Sequence, residues 1–410
     1  MDRAKFVELG AWLTEAGLAG KSETEIVDGF CRRAVTAGLP VTRALVIIDT
    51  LHPVHEGRVF RWRGDQEADQ IEAAEYGPTD QGEVAENWRR SPFFWLLESG
   101  GARLRRRLDA GQTPEFPAIV ALQQEGMTDY LALINRFAAP GVIGEMDCVY
   151  SSWATDRLGG FDDGQIEALT ELAPKLALAV KCVSLARIAG TLVETYLGRD
   201  AGRRVLAGRI RRGVAEKINA VLWYSDLRGF TRITDEAPPQ QIIPFLNDYA
   251  EAVISSIYDN GGDVLKLIGD GTLAIFTSDT AAAACGAALA AQERLRDRLA
   301  DLNRRRAGDN LPTTEVYLGL HIGEVFYGNI GSDERLDFTV VGPAVNEVSR
   351  IAAMCRSVER GVLLSQAFAE SDGAIGARPA CLGRALRAAR RRTAAGAVHS
   401  GPGAELRGAP

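Results

Sequence analysis

A three-residue turn in the C-terminal half of the chain, Gly269-Asp270-Gly271, separates two short apolar runs, Asp263–Ile268 and Thr272–Phe276. Glycines on both sides of an aspartate favour a tight hairpin turn. The flanking runs contain the aliphatic and β-branched residues that are typical of buried strands. The pattern predicts an antiparallel hairpin with a carboxylate at its tip, and it limits how the neighbouring segments can fold.

Two segments with helical periodicity enclose this hairpin, Pro239–Tyr258 before it and Ala281–Arg305 after it. A buried strand, Ala220–Tyr224, precedes the first helix, and a second strand, Val316–Ile322, follows the second helix. This β-α-β-β-α-β order is that of a ferredoxin-like α+β sandwich. A strand and a helix are then added after it, Phe338–Val341 and Ala344–Cys355.

The chain has 410 residues, which is long for a single hydrophobic core. We expect an N-terminal domain (1–161), a helix and basic linker (162–213), a second domain (214–375) and an irregular basic tail (376–410). In the N-terminal domain we predict two helices and four strands, with the acidic segment Gly64–Asn87 as a loop. The helices are Phe6–Ala16 and Glu23–Val35, and the strands are Thr42–Asp49, Arg58–Trp62, Tyr130–Phe137 and Glu145–Trp153. This order resembles a GAF-like α/β sensor domain, which implies an unknown small-molecule or protein signal.

A helix is predicted from the N-cap pair Asp162-Asp163 to about Leu197, with a break or kink at Pro174. Its apolar residues recur at alternating three- and four-residue steps, at Ile166, Leu169, Ala173, Leu176, Val180 and Val183. That spacing fits the seam of a two-stranded coiled coil, and it fits equally a helix that packs on its own domain. The arginine-rich segment Arg199–Arg212 is predicted to be a linker.

The composition excludes several classes of protein. A net charge of −7 argues against a nucleic-acid or membrane-surface binder. No apolar run approaches the roughly 18 residues that span a bilayer, and the first residues do not resemble a signal peptide. The 6 cysteines are scattered without metal or redox spacing. We therefore expect a reduced cytoplasmic protein without nucleic-acid or membrane partners.

Two aspartates can contribute to catalysis. Asp226 follows the strand Ala220–Tyr224, and Asp270 lies at the hairpin tip. The first strand and the hairpin are neighbours in a ferredoxin-like sheet, so the two carboxylates can converge. Paired carboxylates that leave ligand positions open suit Mg²⁺ or Mn²⁺ with a triphosphate. Taken singly, each aspartate is better explained as a turn or strand-end residue, and the surrounding residues favour the metal role.

Four segments resemble class III adenylate/guanylate cyclases, in the order and at the spacing of that family, over about residues 215 to 372. They are Ser225-Asp226-Leu227-Arg228-Gly229-Phe230-Thr231, Lys266–Gly271, Gly319-Leu320-His321-Ile322-Gly323, and Phe338–Asn346 extended to Arg350. The resemblance implies a cyclase that forms cyclic AMP from ATP with two Mg²⁺ or Mn²⁺ ions per site. It also implies a homodimer, because the site in this family combines residues of two subunits.

The resemblance also implies a role for each matched residue. Asp226 and Asp270 would hold the metals. The backbone of Gly229, Phe230 and Thr231 would receive the triphosphate at a helix N-terminus. Arg335 would neutralise the outer phosphates. Asn346 would orient the ribose, and Arg350 would stabilise charge on the α-phosphate.

The choice of base depends on Lys266 and Thr339. A lysine ammonium only donates hydrogen bonds, which suits N1 of adenine, whereas the guanylate members resemble this motif with glutamate at that position. Thr339 stands where many adenylate members have aspartate, and it resembles a threonine-containing bacterial subgroup. A guanylate cyclase and a non-catalytic nucleotide-binding signalling module remain the alternatives.

The last segment departs from the family. Members of the family end with a hairpin that carries a basic phosphate-binding residue and a strand similar to Pro-Gln-Glu-Leu-Phe, whereas here an alanine- and arginine-rich tail follows Gly383. One codon reading of 394–400, shifted by one base, encodes Pro-Gln-Glu-Leu-Phe-Thr. Our hypothesis is a frameshift, with Arg384 or Arg387 as the substitute phosphate ligand. Sequencing the gene between Gly383 and Ser400 tests it, and an intact frame that matches close relatives would reject it.

Overall fold

The computed structural model describes residues 3–65, 71–109, 114–138, 143–144 and 146–371. The chain divides after residue 192 into two compact units. The predicted tail, with Arg384 and Arg387, lies outside the described residues. Each unit is built on its own sheet and has its own hydrophobic core.

The N-terminal unit contains a six-stranded antiparallel sheet in the order β3-β2-β1-β6-β5-β4. Its strands are β1 (Arg43–Asp49), β2 (Gly57–Arg63), β3 (Glu72–Tyr76), β4 (Arg103–Arg107), β5 (Asp129–Arg136) and β6 (Cys148–Thr155). Its helices are α1 (Arg3–Leu18), α2 (Glu23–Thr36), α3 (Gly82–Arg89), α4 (Pro92–Glu98), α5 (Pro117–Gln124) and α6 (Asp163–Leu197). The unit is therefore an α/β domain with a long exit helix.

The alternation of side chains along β1 separates two layers of core. Val46 and Ile48 lie in the cluster that α1, α2 and α6 cover, whereas Leu45 and Ile47 pack against the cluster under α3, α4 and α5. α2 begins at a complete capping box, in which Ser22 and Glu25 satisfy each other's backbone N–H groups. Helices thus cover both faces of the sheet.

The prediction of a loop over Gly64–Asn87 was wrong in part, because this segment contains β3 and most of α3. β3 is a sheet-edge strand whose residues are mostly exposed, so it lacks the apolar alternation that identifies a strand. The strand β4 and the helices α4 and α5 were not predicted either. β4 is Arg-Leu-Arg-Arg-Arg, in which Leu104 alone is buried.

The helix α6 runs without interruption through Pro174, so the predicted break there was wrong. Of the six predicted seam residues, five are buried in the core of the N-terminal unit and Val183 packs against it. These residues therefore pack on their own domain, which was the alternative interpretation, and they do not form an exposed coiled-coil seam. The N-cap prediction is confirmed by Asp162, whose carboxylate accepts from the N–H of Gln165 at 2.8 Å.

One helix among the described residues, α6, is long and apolar enough to cross a membrane by length and composition alone, with a hydropathy of 1.8 over 18 residues. The sequence analysis predicted that no apolar run approaches this length, and α6 does not fit that prediction. One third of that window, 33%, is buried within the protein.

The second unit contains a sheet in the order β11-β10-β7-β9-β8, with β12 parallel to β10. Its strands are β7 (Ala215–Leu227), β8 (Gly262–Ile268), β9 (Gly271–Phe276), β10 (Val316–Gly331), β11 (Leu336–Val341) and β12 (Val362–Leu364). Its helices are α7 (Arg199–Leu206), α8 (Phe230–Glu236), α9 (Pro239–Asp259), α10 (Ala281–Gly308), α11 (Pro343–Val358) and α12 (Gln366–Ser371). The path β7-α9-β8-β9-α10-β10 is the β-α-β-β-α-β arrangement predicted from the hairpin.

Two clusters of buried residues hold this unit together. α9 and α10 cover one cluster, which contains Trp223 and Phe276, and the other contains Tyr327 and Phe338. The segment predicted as a linker contains α7, whose Ala201 is buried in the second cluster. α7 begins after Gly198, which has a positive φ of 87° and approaches the carbonyl of Val264 so closely that a Cβ would lie 2.2 Å from its oxygen.

Candidate active site

The structure brings Asp226 and Asp270 together at one end of the sheet. β7 pairs with β9 so that Ser225 lies opposite Thr272, which places the hairpin tip beside the end of β7. The N–H of Leu227 donates to Oδ2 of Asp270 at 3.2 Å. Burial, together with the adjacent Asp226 carboxyl group within hydrogen-bonding range, raises the pKa of Asp270. The predicted convergence of the two carboxylates is present.

Sequence reasoning missed the residue that contacts Asp226. The guanidinium of Arg356, near the C-terminal end of α11, donates to Oδ2 of Asp226 at 2.6 Å. Its side chain is 61% exposed, whereas that of Asp226 is 25% exposed. Arg356 and Asp226 are 130 positions apart, and no local signal in the sequence connects them. The packing of α11 against β10 brings Arg356 beside Asp226.

The predicted phosphate-binding turn follows directly after β7. Gly229 has a left-handed backbone conformation, with φ of 70°, and forms the N-cap of α8. Phe230 is half-buried and stacks on Phe245, with ring centroids 6.3 Å apart and an interplanar angle of 11°. Gly229 and Thr231 are exposed. The backbone of this turn is therefore exposed on both sides of Phe230, and the packed ring of Phe230 holds the turn in place.

Lys266 and Thr339 lie on β8 and β11. The Lys266 ammonium forms an ion pair with the Asp337 carboxylate, a residue that sequence reasoning missed. Asp337 lies two positions before Thr339 on the observed strand, where alternate residues share a face. The predicted strand began at Phe338 and therefore left Asp337 out. Thr339 is buried, with 8% exposure, and pairs with Gly328 of β10.

Arg335, Asn346 and Arg350 are exposed, and they do not join the aspartates. Arg335 lies in the turn between β10 and β11, where its N–H donates to the hydroxyl of Ser332 at 3.2 Å. Asn346 and Arg350 lie in the N-terminal half of α11. The Arg350 guanidinium is 3.8 Å from the Glu347 carboxylate, and its side chain is 74% exposed.

The packing of α11 on β10 explains this separation. A Cβ on Gly319 would lie 2.7–2.8 Å from the backbone of Ala352 and Val348, so its lack of a side chain lets the helix lie against the strand. The helix then runs from near Val325 to Arg356 beside Asp226. Asn346 is ten residues before Arg356, which is about 15 Å along an α-helix. One chain therefore carries the metal-type carboxylates and the Asn346/Arg350 pair as two separate half-sites.

The family model described as "Adenylate and Guanylate cyclase catalytic domain" matches residues 214–370. The match contains both half-sites. Residues 214–370 are a class III cyclase catalytic domain.

Individual relatives match the same part of the chain. An adenylate cyclase from Anabaena cylindrica is 33% identical over 155 residues, which are 38% of this chain and 31% of that protein. A terminal-differentiation-specific adenylate cyclase from Dictyostelium discoideum is 33% identical over 153 residues, 37% of this chain and 7% of that protein. The solved guanylyl cyclase Cya2 is 30% identical, with a TM-score of 0.35, over 38% of this chain and 80% of that chain. The chain thus spans less than a third of either curated relative.

The donor atoms of the cyclase domain suit a divalent metal, and class III cyclases generally use divalent ions. Asp226 and Asp270 offer hard carboxylate oxygens close together, which are the ligands that Mg²⁺ and Mn²⁺ prefer. Within the part of the chain that the structure describes, no group of three or more His, Cys, Asp or Glu side chains forms a closed metal site. A two-carboxylate site fits ions whose remaining positions are filled by water and phosphate oxygens.

Proposed function

We propose that this protein is an adenylate cyclase that converts ATP to 3′,5′-cyclic AMP and pyrophosphate. The convergence of Asp226 and Asp270 in the cyclase domain carries this proposal. When bound, Mg²⁺ or Mn²⁺ would lower the pKa of the ribose 3′-hydroxyl and neutralise phosphate charge. Asp226 and Asp270 would hold these ions when both carboxyl groups are ionised.

The other predicted residues act on the nucleotide. Backbone N–H groups at Gly229–Thr231 receive the triphosphate, and Arg335 pairs with its outer phosphates. Asn346 orients the ribose. Arg350 stabilises the negative charge that develops on the α-phosphate, an effect typically worth about 3–4 kcal/mol per donor.

Lys266 supports ATP as the substrate. Its ammonium donates to N1 of adenine, whereas guanine would present its own N1–H donor there. Thr339 can donate or accept, so it discriminates less. The assignment of ATP therefore depends mainly on Lys266, and GTP is the alternative substrate.

The active protein is proposed to be a homodimer. Along α11, Asn346 lies about 15 Å and Arg350 about 9 Å from Arg356, which contacts Asp226. Each complete site would therefore combine Asp226 and Asp270 of one subunit with Asn346 and Arg350 of the other. A two-fold axis then creates two equivalent sites.

The N-terminal unit is proposed to be a GAF-like sensor for a small-molecule or protein signal. A cavity of about 770 Å³ on the sheet face under α3–α5 supports a small molecule, since ligand cavities commonly have this volume. Its wall contains aromatic residues, among them Trp62, Trp88 and Tyr150. We also propose that the protein acts in the cytoplasm, without nucleic-acid or membrane partners.

The test is cyclic nucleotide production by the purified full chain with ATP or GTP and with Mg²⁺ or Mn²⁺. Asp270→Ala should abolish turnover, and Asp279→Ala, an exposed aspartate after β9, is the matched control. Turnover of GTP in preference to ATP would contradict the assignment of Lys266. A folded dimer that turns over neither nucleotide would favour the non-catalytic signalling module.

A further inference from the structure

The cavity of the N-terminal unit carries opposite charges toward its two ends. Three carboxylates of its wall, Asp49, Glu56 and Asp147, form what we call the acidic end. Asp49 ends β1 where β2 begins, and Asp147 directly precedes β6, the strand on the other side of β1. The arginines of the wall lie toward the other end, where Arg43 is opposite Arg63 in the register of β1 and β2. Six positions separate Arg43 from Asp49, which is about 20 Å along a strand.

Carboxylates of the protein itself neutralise the arginine end. The guanidinium of Arg43 is 3.3 Å from the carboxylate of Glu125, and that of Arg61 is 2.8 Å from Glu72. A ligand therefore gains little from charge at this end, because these guanidinium groups already have partners of opposite charge.

The acidic end receives hydrogen bonds from neutral donors. Glu56 accepts from the N–H and the hydroxyl of Thr79, and Asp49 accepts from the phenol of Tyr76. Burial and the Asp49 carboxylate raise the pKa of Tyr76, so its phenol stays protonated and neutral. These contacts orient the carboxylates and leave their negative charge in place.

A glycine makes the contact between Tyr76 and Asp49 possible. Gly57 lies opposite Tyr76 in the register of β2 and β3, and a Cβ at this position would lie 2.2 Å from the Tyr76 hydroxyl. Without a side chain at Gly57, the phenol lies across β2 and reaches Asp49 on β1. The shape of the acidic end therefore depends on this close approach.

Aromatic rings border the acidic end. Trp88 of α3, Phe93 of α4 and Tyr150 of β6 line the cavity, and we call them the aromatic cluster. The ring centroids of Trp88 and Phe93 each lie 5.4 Å from that of Tyr150. Burial raises the pKa of Tyr150, and the nearby carboxylates of Asp49 and Asp147 raise it further. Aromatic faces beside carboxylates are the surroundings that attract an organic cation.

The size of the site favours an organic ion over a metal ion. Within the described residues, no group of three or more His, Cys, Asp or Glu side chains could hold a metal. The carboxylates of the acidic end are therefore spread around a space instead of converging on one point. The cavity has a volume of about 770 Å³, which is in the range of sites for small organic ligands.

We propose that the cavity binds a small organic ammonium ion, with its charged group at the acidic end and an apolar or aromatic body against the aromatic cluster. The inference rests on the proposed sensor function of the N-terminal unit and deepens it by naming the class of ligand. The ammonium group donates charge-assisted hydrogen bonds to the carboxylates. The body of the ligand displaces water from the aromatic rings and from Leu45 and Ile47 of β1.

The experiment measures binding to the purified full chain by calorimetry. The probes are 2-phenylethylammonium and tryptammonium, each with the alcohol and the carboxylate that carry the same ring. We expect each ammonium ion to bind about tenfold more tightly than its alcohol, and the carboxylates to bind most weakly. Asp49→Asn and Glu56→Gln should each raise the Kd of the ammonium ions about tenfold and change that of the alcohols little. Asp80→Asn is the matched control, because Asp80 is exposed nearby and does not line the cavity.

The outcomes separate the class of ligand from the sensor function. Tighter binding of the alcohols or carboxylates would overturn the inference and leave the cavity as a small-molecule site. Equal binding of the ammonium ions to wild type and to both acidic-end variants would overturn it as well. If no probe binds, the inference and the small-molecule form of the sensor both fail. Ammonium binding that leaves cyclic nucleotide production unchanged would contradict the sensor function alone.

Discussion

Complementation between two inactive variants tests whether the site is shared between subunits. Asp270→Ala removes a carboxylate of one half-site, and Arg350→Ala removes a guanidinium of the other. Arg350 is 74% exposed and its sole ion-pair partner among the described residues is Glu347, 3.8 Å away, so its loss should leave the fold intact. Each variant alone should lose at least about a hundredfold in kcat.

The expected recovery follows from counting sites. In a heterodimer, the intact aspartates of the Arg350→Ala chain face the intact Arg350 of the Asp270→Ala chain, so one of two sites is complete. Random pairing at equal concentration makes about half of the dimers mixed, so activity should return to about one quarter of wild type. The assay is cyclic AMP formation after the variants are mixed under conditions that permit subunit exchange.

Two controls make the result decisive. Mixing Asp270→Ala with Asp226→Ala should restore nothing, because both changes affect the same half-site. Size-exclusion chromatography with differently tagged chains measures the mixed fraction directly. Complete mixing without recovered activity would refute the shared site, and so would a single variant that keeps wild-type turnover.

Three further predictions follow from the site. Lys266→Glu should lower kcat/KM for ATP by about tenfold or more, because a carboxylate then faces the N1 acceptor, and steady-state kinetics with both nucleotides checks it. Arg356→Ala should lower the metal concentration for half-maximal activity by up to about fivefold, because it frees Asp226 from an exposed ion pair, and manganese titration with a binding readout checks it. The raised pKa of Asp270 means that its proton is held more tightly in the fold than in the unfolded chain; stability without metal should therefore fall as pH rises through that pKa, and metal affinity should fall as pH decreases. Thermal unfolding in EDTA across pH checks the stability prediction, and Asp270→Asn should show a flatter profile. Metal titration at several pH values checks the affinity prediction.

The predictions that were confirmed depend on local signals. The hairpin around Asp270 and the long helices of the cyclase domain are specified by turn residues and by periodicity over adjacent positions. Burial of alternate residues in β1 similarly reports its two covered faces. These elements needed no knowledge of the rest of the chain. The convergence of Asp226 and Asp270 followed because the order of strands determines which strand ends are adjacent.

The features that were missed depend on packing between distant segments. Asp337 pairs with Lys266 and Arg356 with Asp226 across 71 and 130 positions, respectively. Both contacts require the alignment of a whole element, β11 in one case and α11 in the other. The helix α6 illustrates an ambiguity of a different kind, because a three- and four-residue repeat describes equally a coiled-coil seam and a helix buried on its own sheet. The sequence pattern does not show which surface the apolar side of α6 contacts, so only the structure distinguishes these two arrangements.

The position of α11 has a consequence for the proposed dimer. Its C-terminal end contacts Asp226 of its own chain through Arg356, and its N-terminal half carries the exposed Asn346 and Arg350, which the proposed dimer would place in the site of the other chain. A continuous helix transmits a displacement along its axis, so a change at one metal half-site would alter the position of the groups that the proposal assigns to the second site. Gly319 holds the middle of the helix against β10 with no room for a Cβ, which limits the helix to movement along or about that contact. In the proposed dimer, the two sites would therefore be connected through two copies of α11, and an input that shifts this helix would change both sites together.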